Sequence, residues 1–413
     1  MEEKRIIVAG AGFGGVAAAL TLAKDPAIAR SGYDIVLIDR HPRHLYTAGL
    51  YEAAAVPRGF AKDAYLASSL GIPIAEIIRG RPIRFLHGAM AGLDVSGRRV
   101  VLDNGGALSY AYLVVALGSE TNYFDIPGLH GYSIPLKSAD DAVRLGNAIE
   151  RAAGERPSLT ILVGGAGATG VELAAELINF LCVLEKEKNP TAPACRTTVI
   201  LVEASEAILP GFDARSVRRA SRRLAHLGVI LKTGSPIIAV SKGDITLRTG
   251  ERVRYDILVW TGGIIGPALC KTFGLTLSSR GTLVTDAALR AAGAVGRIFA
   301  AGDDAGFPRP RTGKPLPATA QIAVSQGIHA ARNISRVIRG KPVRRFRPQK
   351  KYPFVLAIGR KYALADLASL RIGGLPGWCI KQIVQLKYFL FILPWARALS
   401  LWWENMRLYH SND

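Results

Sequence analysis

Two glycine clusters carry the strongest chemical signal in the chain: Gly10-Ala11-Gly12-Phe13-Gly14-Gly15 and Gly165-Ala166-Gly167-Ala168-Thr169-Gly170. Each follows a short apolar, β-branched run and precedes a helix-forming stretch, so each reads as strand, glycine turn, helix. In such a unit the first glycine permits the tight turn, the second lets backbone approach a pyrophosphate, and the third lets helix and strand pack closely. The helix N-terminus then offers free N–H groups and partial positive charge to the anion. A carboxylate completes each unit: the run Tyr33 to Ile38 ends in Asp39, and Thr198 to Val202 ends in Glu203. An acidic group there accepts hydrogen bonds from a ribose diol and repels a 2′-phosphate, which in the second unit favours NADH over NADPH. The chemistry indicated is dinucleotide binding, twice. Glu172, early in the second helix, suits either charge and proton tuning near a nicotinamide or simple complementarity to the helix dipole.

The elements needed to position these residues recur in the same order. Tyr110 to Gly118 and Tyr255 to Gly263 are both apolar strands turning on glycine, so the chain contains an internal duplication. Arg84 to Leu102 reads as a β-meander, and Asp125 to Gly128 as a domain exit. Thr282 to Thr285 and Ile298 to Ala301 read as strands that return the chain to its first domain. Gly302 to Gly327 then presents Asp303 and Asp304, a Pro-rich loop and a helix beginning near Pro317, with Gln321 in its first turn. A helix N-terminus aimed at a flavin's N1–C2=O edge stabilises the negative charge that appears on reduction. The fold class is α/β: two Rossmann-like dinucleotide-binding domains of glutathione-reductase type, followed by a C-terminal helical segment that associates with a membrane. Residues 1–125 and 282–340 form the first domain, 126–281 the second, and 341–413 the C-terminal region.

The chain has 413 residues and a formal net charge of +21, with a mean hydropathy of +0.21. A basic surface attracts nucleic acid or anionic lipid. No zinc spacing, RNA-binding aromatic signature or basic recognition helix is present, so nucleic acid is set aside and lipid is expected. Cys182, Cys195, Cys270 and Cys379 form no CxxC pair and read as reduced thiols without a disulfide framework. The histidines show no metal-ligand spacing, and MEEKRIIVAGAG has no secretory h-region. From Ile380 to Trp403 aromatic and aliphatic residues are interrupted by Lys381, Lys387, Pro394 and Arg397, too often for a spanning helix. This suits helices lying in the membrane interface with basic heads among the phosphates.

Taken with ALGSETNYFDIPG (Ala116–Gly128), IFAAGDDAG (ending at Gly306), ATAQIAVSQG (ending at Gly327) and FVLAIGRKYALADL (Phe354–Leu367), the chain resembles the two-dinucleotide-binding-domain flavoproteins, and among them the membrane-bound type II NADH dehydrogenases. The resemblance implies that Gly10, Gly12, Gly14, Gly15, Asp39, Arg40, Ala116, Gly118 and Asp303 hold FAD, and that Thr47, Ala320 and Gln321 face its isoalloxazine. It implies that Gly165, Gly167, Gly170, Glu172, Glu203 and Gly263 form the NADH site, and that Gln321, Ser325 and Gln326 meet quinone. Ser325 stands where the family places a second glutamine, and Ala48-Gly49 replace its Pro-Leu. The implied activity is hydride transfer from NADH to FAD and two electrons to a membrane quinone without proton pumping. The implied setting is a homodimer, peripheral on the cytoplasmic side of the cell membrane. Sulfide:quinone oxidoreductase, which needs a redox cysteine pair, and a non-turnover FAD/NADH sensor are the alternatives.

Overall fold

The apolar runs before the two glycine clusters are buried on both faces: Ile6, Ile7, Val8 and Ala9 in one, and Ile161, Leu162 and Val163 in the other, are fully inaccessible to solvent. Such burial belongs to a central parallel strand covered by helices on each side. The structure, a computed structural model, describes residues 4–59, 61–188, 197–294, 296–309, 313, 315–349, 352–367 and 370–409. It comprises two units, one of residues 1–45, 72–120 and 264–350, the other of residues 46–71, 121–263 and 351–413.

In the first unit five parallel strands run in the order Ile298–Ala300, Tyr112–Val115, Arg5–Ala9, Asp34–Asp39, Ile83–His87. In the second the order is Ile134–Pro135, Ile257–Trp260, Thr160–Gly164, Thr198–Val202, Ile230–Lys232, again all parallel. Both central strands lead through a glycine cluster into a helix, so the duplication extends to strand order. It extends further, to an antiparallel meander in each unit: Met90–Asp94, Arg99–Leu102 and Ala107–Ser109 in one, Ile237–Ser241, Asp244–Leu247 and Arg252–Arg254 in the other. The first meander starts later than expected. Ile83–His87 instead closes the parallel sheet as an edge strand, which its half-apolar sequence allows because an edge position does not demand burial of every residue.

Six helices carry the residues relevant to function: α1 (Phe13–Ala23), α2 (Leu50–Ala54), α3 (Ala168–Lys188), α4 (Ala320–Ile338), α5 (Leu375–Ile392) and α6 (Trp395–Tyr409). In the first unit α1 and α4 pack at backbone contact, since a Cβ on Gly327 would collide with the Gly14 carbonyl oxygen. Helix α4 begins at Ala320 rather than near Pro317, because the Thr319 hydroxyl accepts a hydrogen bond from Ile322 N and caps it.

In the second unit an antiparallel sheet, Phe354–Ala357, Ala363–Asp366 and Arg371–Gly374, leads into α5 and α6. These helices are tied together by Trp402 Nε1 donating to the Gln382 carbonyl, and to residues 46–71 by the Tyr409–Ser69 hydroxyl pair and the Tyr46–Tyr388 stack. One expectation fails here. Cys182, on α3, is disulfide-bonded, whereas Cys270 and Cys379 are free, because sequence spacing does not reveal which thiols a fold brings together.

Candidate functional site

Within the first unit the glycine cluster is explained in two parts. Gly10 takes φ +101°, and a Cβ there would strike the Ala116 carbonyl; a Cβ on Gly15 would strike the Gly10 carbonyl oxygen. Gly12 is different: its φ of −70° suits any residue, and a Cβ would meet nothing within 4 Å. The second unit repeats this division. Gly165 (φ +95°) lies against Gly262, Gly170 against Gly165, and Gly167 faces open space. Among the described residues no atom lies within 4 Å of a Cβ built on Gly12 or Gly167, and both precede a helix N-terminus, so both cradles fit a pyrophosphate.

The carboxylates behave alike. Ala11 N donates to Asp39 Oδ2 at 2.6 Å, and Ala166 N donates to Glu203 Oε2 at 2.7 Å. The second oxygens accept from His41 N and Ser205 N, so each acid joins its glycine turn to the loop after its second strand. Arg40, beside Asp39, is exposed. His44 opens a stretch, His44 to Glu52, whose mixed aromatic, small and polar residues read as able to line a ligand, but the structure gives His44 a bracing role. It is fully buried, its Nδ1 donates to the Ala11 carbonyl at 2.8 Å, and burial pushes it down to about 4 despite the opposing Ala11 hydrogen bond and Asp39 charge. A neutral imidazole therefore braces the loop.

Gly302, at φ +97°, delivers two acids to the end of Ile298–Ala300. Asp303 Oδ2 accepts from Ser119 Oγ at 2.7 Å. Asp304, the second acid of the pair read from the sequence, is fully buried; its Oδ2 accepts from Leu117 N at 2.8 Å, while its Oδ1 is without a hydrogen-bond partner. Burial raises the Asp304 carboxyl well above the usual range, with the Leu117 N–H opposing and Asp303 adding to the shift. The pair thus fixes the turn of Ala116, Leu117 and Gly118. Ala320 and Gln321 open α4, with Gln321 exposed. Ser325 Oγ donates back to the Ile322 carbonyl. Gln326 is corrected: it is 1% exposed and its Oε1 accepts from Gly302 N, so its side chain holds the acidic turn rather than facing a quinone.

In the second unit Thr47 is exposed on a single turn, Thr47–Gly49, and Gly263 (φ +153°) accepts a hydrogen bond from Asn122 N. Glu172, on α3, accepts from Ala357 N at 3.2 Å. Burial raises its carboxyl to about 8, opposed by Lys381 and the Ala357 N–H, with Glu52 adding a push. Lys381 corrects a second expectation. This α5 lysine does not reach toward lipid but is ion-paired with Glu52 of α2. Burial works to lower its pKa, yet the Glu52 charge and hydrogen bond, with Glu172 and Glu176, outweigh it and the net shift is upward. Periodicity could have shown this, because Lys381 lies four residues before buried Gln385 and eight before buried Phe389. Among the described residues no group of three or more His, Cys, Asp or Glu side chains is arranged for a metal ion.

Comparison with known proteins identifies the family. Residues 4–327 match the family model described as pyridine nucleotide-disulphide oxidoreductase. A type II NADH:quinone oxidoreductase of Staphylococcus haemolyticus is 30% identical over 351 residues, covering 82% of this chain and 84% of that protein. The namesake from Staphylococcus saprophyticus is 28% identical over 356 residues, with 84% and 85% covered. The fold matches NDH2 from Plasmodium falciparum in complex with NADH at a TM-score of 0.82, 18% identity, and 98% and 97% coverage. It also matches the sulfide:quinone oxidoreductase of Aquifex aeolicus at 0.78, with 18% identity and 94% and 91% covered. The chain therefore belongs to the pyridine nucleotide-disulphide oxidoreductases and, within them, to the type II NADH:quinone oxidoreductase family.

Proposed function

We propose that the chain is a peripheral membrane flavoenzyme that oxidises NADH and reduces a membrane quinone without pumping protons, on the cytoplasmic face and as a homodimer. The observation that carries this reading is the doubled cradle, in which Gly12 and Gly167 each stand open while a carboxylate closes the loop behind them. FAD in the first cradle supplies the two-electron chemistry. Around it the first unit, with Gly10, Gly12, Gly14, Gly15, Asp39 and Arg40, binds the dinucleotide end, and Asp303 with Ala116 and Gly118 binds toward the ribityl chain. The α4 N-terminus at Ala320 and Gln321 directs its partial positive charge at the ring. Gly165, Gly167, Gly170 and Gly263 bind NADH, and Glu203 repels a 2′-phosphate. Quinone reduction consumes a proton beyond the transferred hydride, and the Glu172 carboxyl, at about 8, holds one near neutrality. Gln321 is the proposed contact to ring and quinone.

Helices α5 and α6 supply the membrane face. Ile383, Leu390, Trp395, Leu399 and Trp403 are exposed on them, and no helix of the described residues is long and apolar enough to cross a membrane. Large apolar side chains held in solvent mark an interfacial surface. Of the two free thiols, burial pushes Cys270 up to about 12, with Asp304 and Glu120 adding to it, which leaves the disulfide at Cys182 as the cysteine pair a sulfide reaction would have to use. The test is to follow NADH oxidation by detergent-purified protein with a short-chain quinone, then repeat it with NADPH and with sulfide. Quinone-dependent NADH turnover is expected. Flavin bleaching by NADH without turnover would sink the enzyme reading, and bleaching by sulfide would replace NADH as the donor.

A further inference from the structure

The second half of α4 and the segment that follows it build a strongly basic cavity at the surface of the first unit, where Arg332, Arg339, Arg344, Arg345 and Arg347 are exposed. It has a volume of about 780 Å³ and contains Arg332, Arg336, Arg339, Arg344, Arg345 and Arg347 against one carboxylate, Asp25. Asp25 is already engaged: it caps the helix Pro26–Arg30 and pairs with Arg339. Arg336 donates to the Pro342 carbonyl. Arg332, Arg344, Arg345 and Arg347 have no ion-pair partner among the described residues.

The wall that presents these arginines is fixed. Asn333, 1% exposed, donates to the Arg344 carbonyl and accepts from Arg344 N, while His329 Nε2 donates to the same carbonyl. Phe346, between Arg345 and Arg347, is buried against Phe307, and its N–H donates to the Ala287 carbonyl. Cations near a helix C-terminus complement the dipole, which accounts for Arg336 and Arg339 but not for three more arginines supplied by the following segment. Six guanidinium groups around one cavity concentrate positive charge that attracts anions, and guanidinium recognises phosphate bidentately. The site is separate from the FAD cradle. Arg336 lies 15 residues beyond Gln321, about 22 Å along the helix at 1.5 Å per residue.

We propose that this cavity binds a ligand carrying two or more clustered phosphate groups, whether a soluble polyphosphorylated molecule or a diphosphate lipid headgroup. The test is titration calorimetry of the FAD-loaded protein with tripolyphosphate, in saturating NAD⁺ to occupy the nucleotide cradle, alongside flotation with phosphatidylcholine vesicles with and without diphosphatidylglycerol. The variants are the triple substitution Arg332→Ala, Arg345→Ala, Arg347→Ala and a charge-matched control, Arg215→Ala, Arg218→Ala, Arg222→Ala, on an exposed helix of the other unit. A charge-assisted hydrogen bond contributes about 1.5–3 kcal/mol, so affinity should fall about tenfold or more per arginine removed from the cavity and stay near wild type in the control. Arginine-dependent binding of tripolyphosphate assigns a soluble ligand. Arginine-dependent binding confined to diphosphatidylglycerol vesicles assigns the lipid. Equal losses in both triple variants, or no loss in either, overturn the site. NADH–quinone turnover in detergent should be unchanged throughout, which keeps this result independent of the proposed activity.

Discussion

Gly12 and Gly167 have no reason within the fold to lack a side chain, and this separates them from Gly15 and Gly170, whose neighbours forbid one. Gly12→Ala should change the stability of the apoprotein by no more than about 0.5 kcal/mol, because reduced chain entropy opposes a poorer N-cap. The same substitution should weaken FAD about tenfold, measured by flavin retention on dilution, since it obstructs backbone approach to phosphate. Gly167→Ala should leave flavin in place and raise the NADH KM. Parallel loss of flavin in both variants would contradict the assignment of the two cradles. Glu172 offers a second residue-level test. Its carboxyl lies at about 8 in the fold against 4.5 for a free one, so the folded state binds the proton more tightly. The contribution is neutral below 4.5 and becomes unfavourable as pH rises from 4.5 to 8, where the penalty is complete. Urea midpoints across that range should fall less steeply for Glu172→Gln than for the parent.

At the scale of elements, α5 is joined to α2 through Lys381 and Glu52, whose side chains are only 17% and 14% exposed. Removing one member of a buried pair leaves the other uncompensated, at a cost of about 3 kcal/mol, whereas replacing both by apolar residues is often near neutral. Lys381→Met should therefore lower the unfolding free energy by about 3 kcal/mol. Adding Glu52→Leu should restore most of it, read by chemical denaturation. Additive losses would show that the two side chains do not act as a pair.

For the whole molecule, the apolar row on α5 and α6 predicts membrane binding that survives salt, because burial of apolar surface is not screened as charge attraction is. Ile383→Ser, Trp395→Ser and Trp403→Ser should each weaken vesicle partitioning about tenfold, given about 1.5–3 kcal/mol per large buried side chain. Point substitution tests this better than deletion of the tail, since Tyr409, Tyr388 and Lys381 also pack against residues 46–71. Flotation at high ionic strength is the measurement, and unaltered binding would move the anchor elsewhere.

Local signals determined much of this protein. Each strand, glycine turn and helix is encoded by contiguous residues, which is why both glycine turns, the acids Asp39 and Glu203, and the duplication are legible in the sequence alone. Side chains whose partners are remote in sequence were not. The Lys381–Glu52 pair spans 329 positions, the Asp304–Leu117 bond 187, and the Gln326–Gly302 bond connects a helix interior to a turn. Lys381 as a buried pair rather than a lipid-facing head, Gln326 as a brace rather than a substrate contact, and the gathering of six arginines around one cavity were decided only by tertiary packing. Burial and long-range pairing depend on which surfaces meet, and contiguous sequence does not encode that directly.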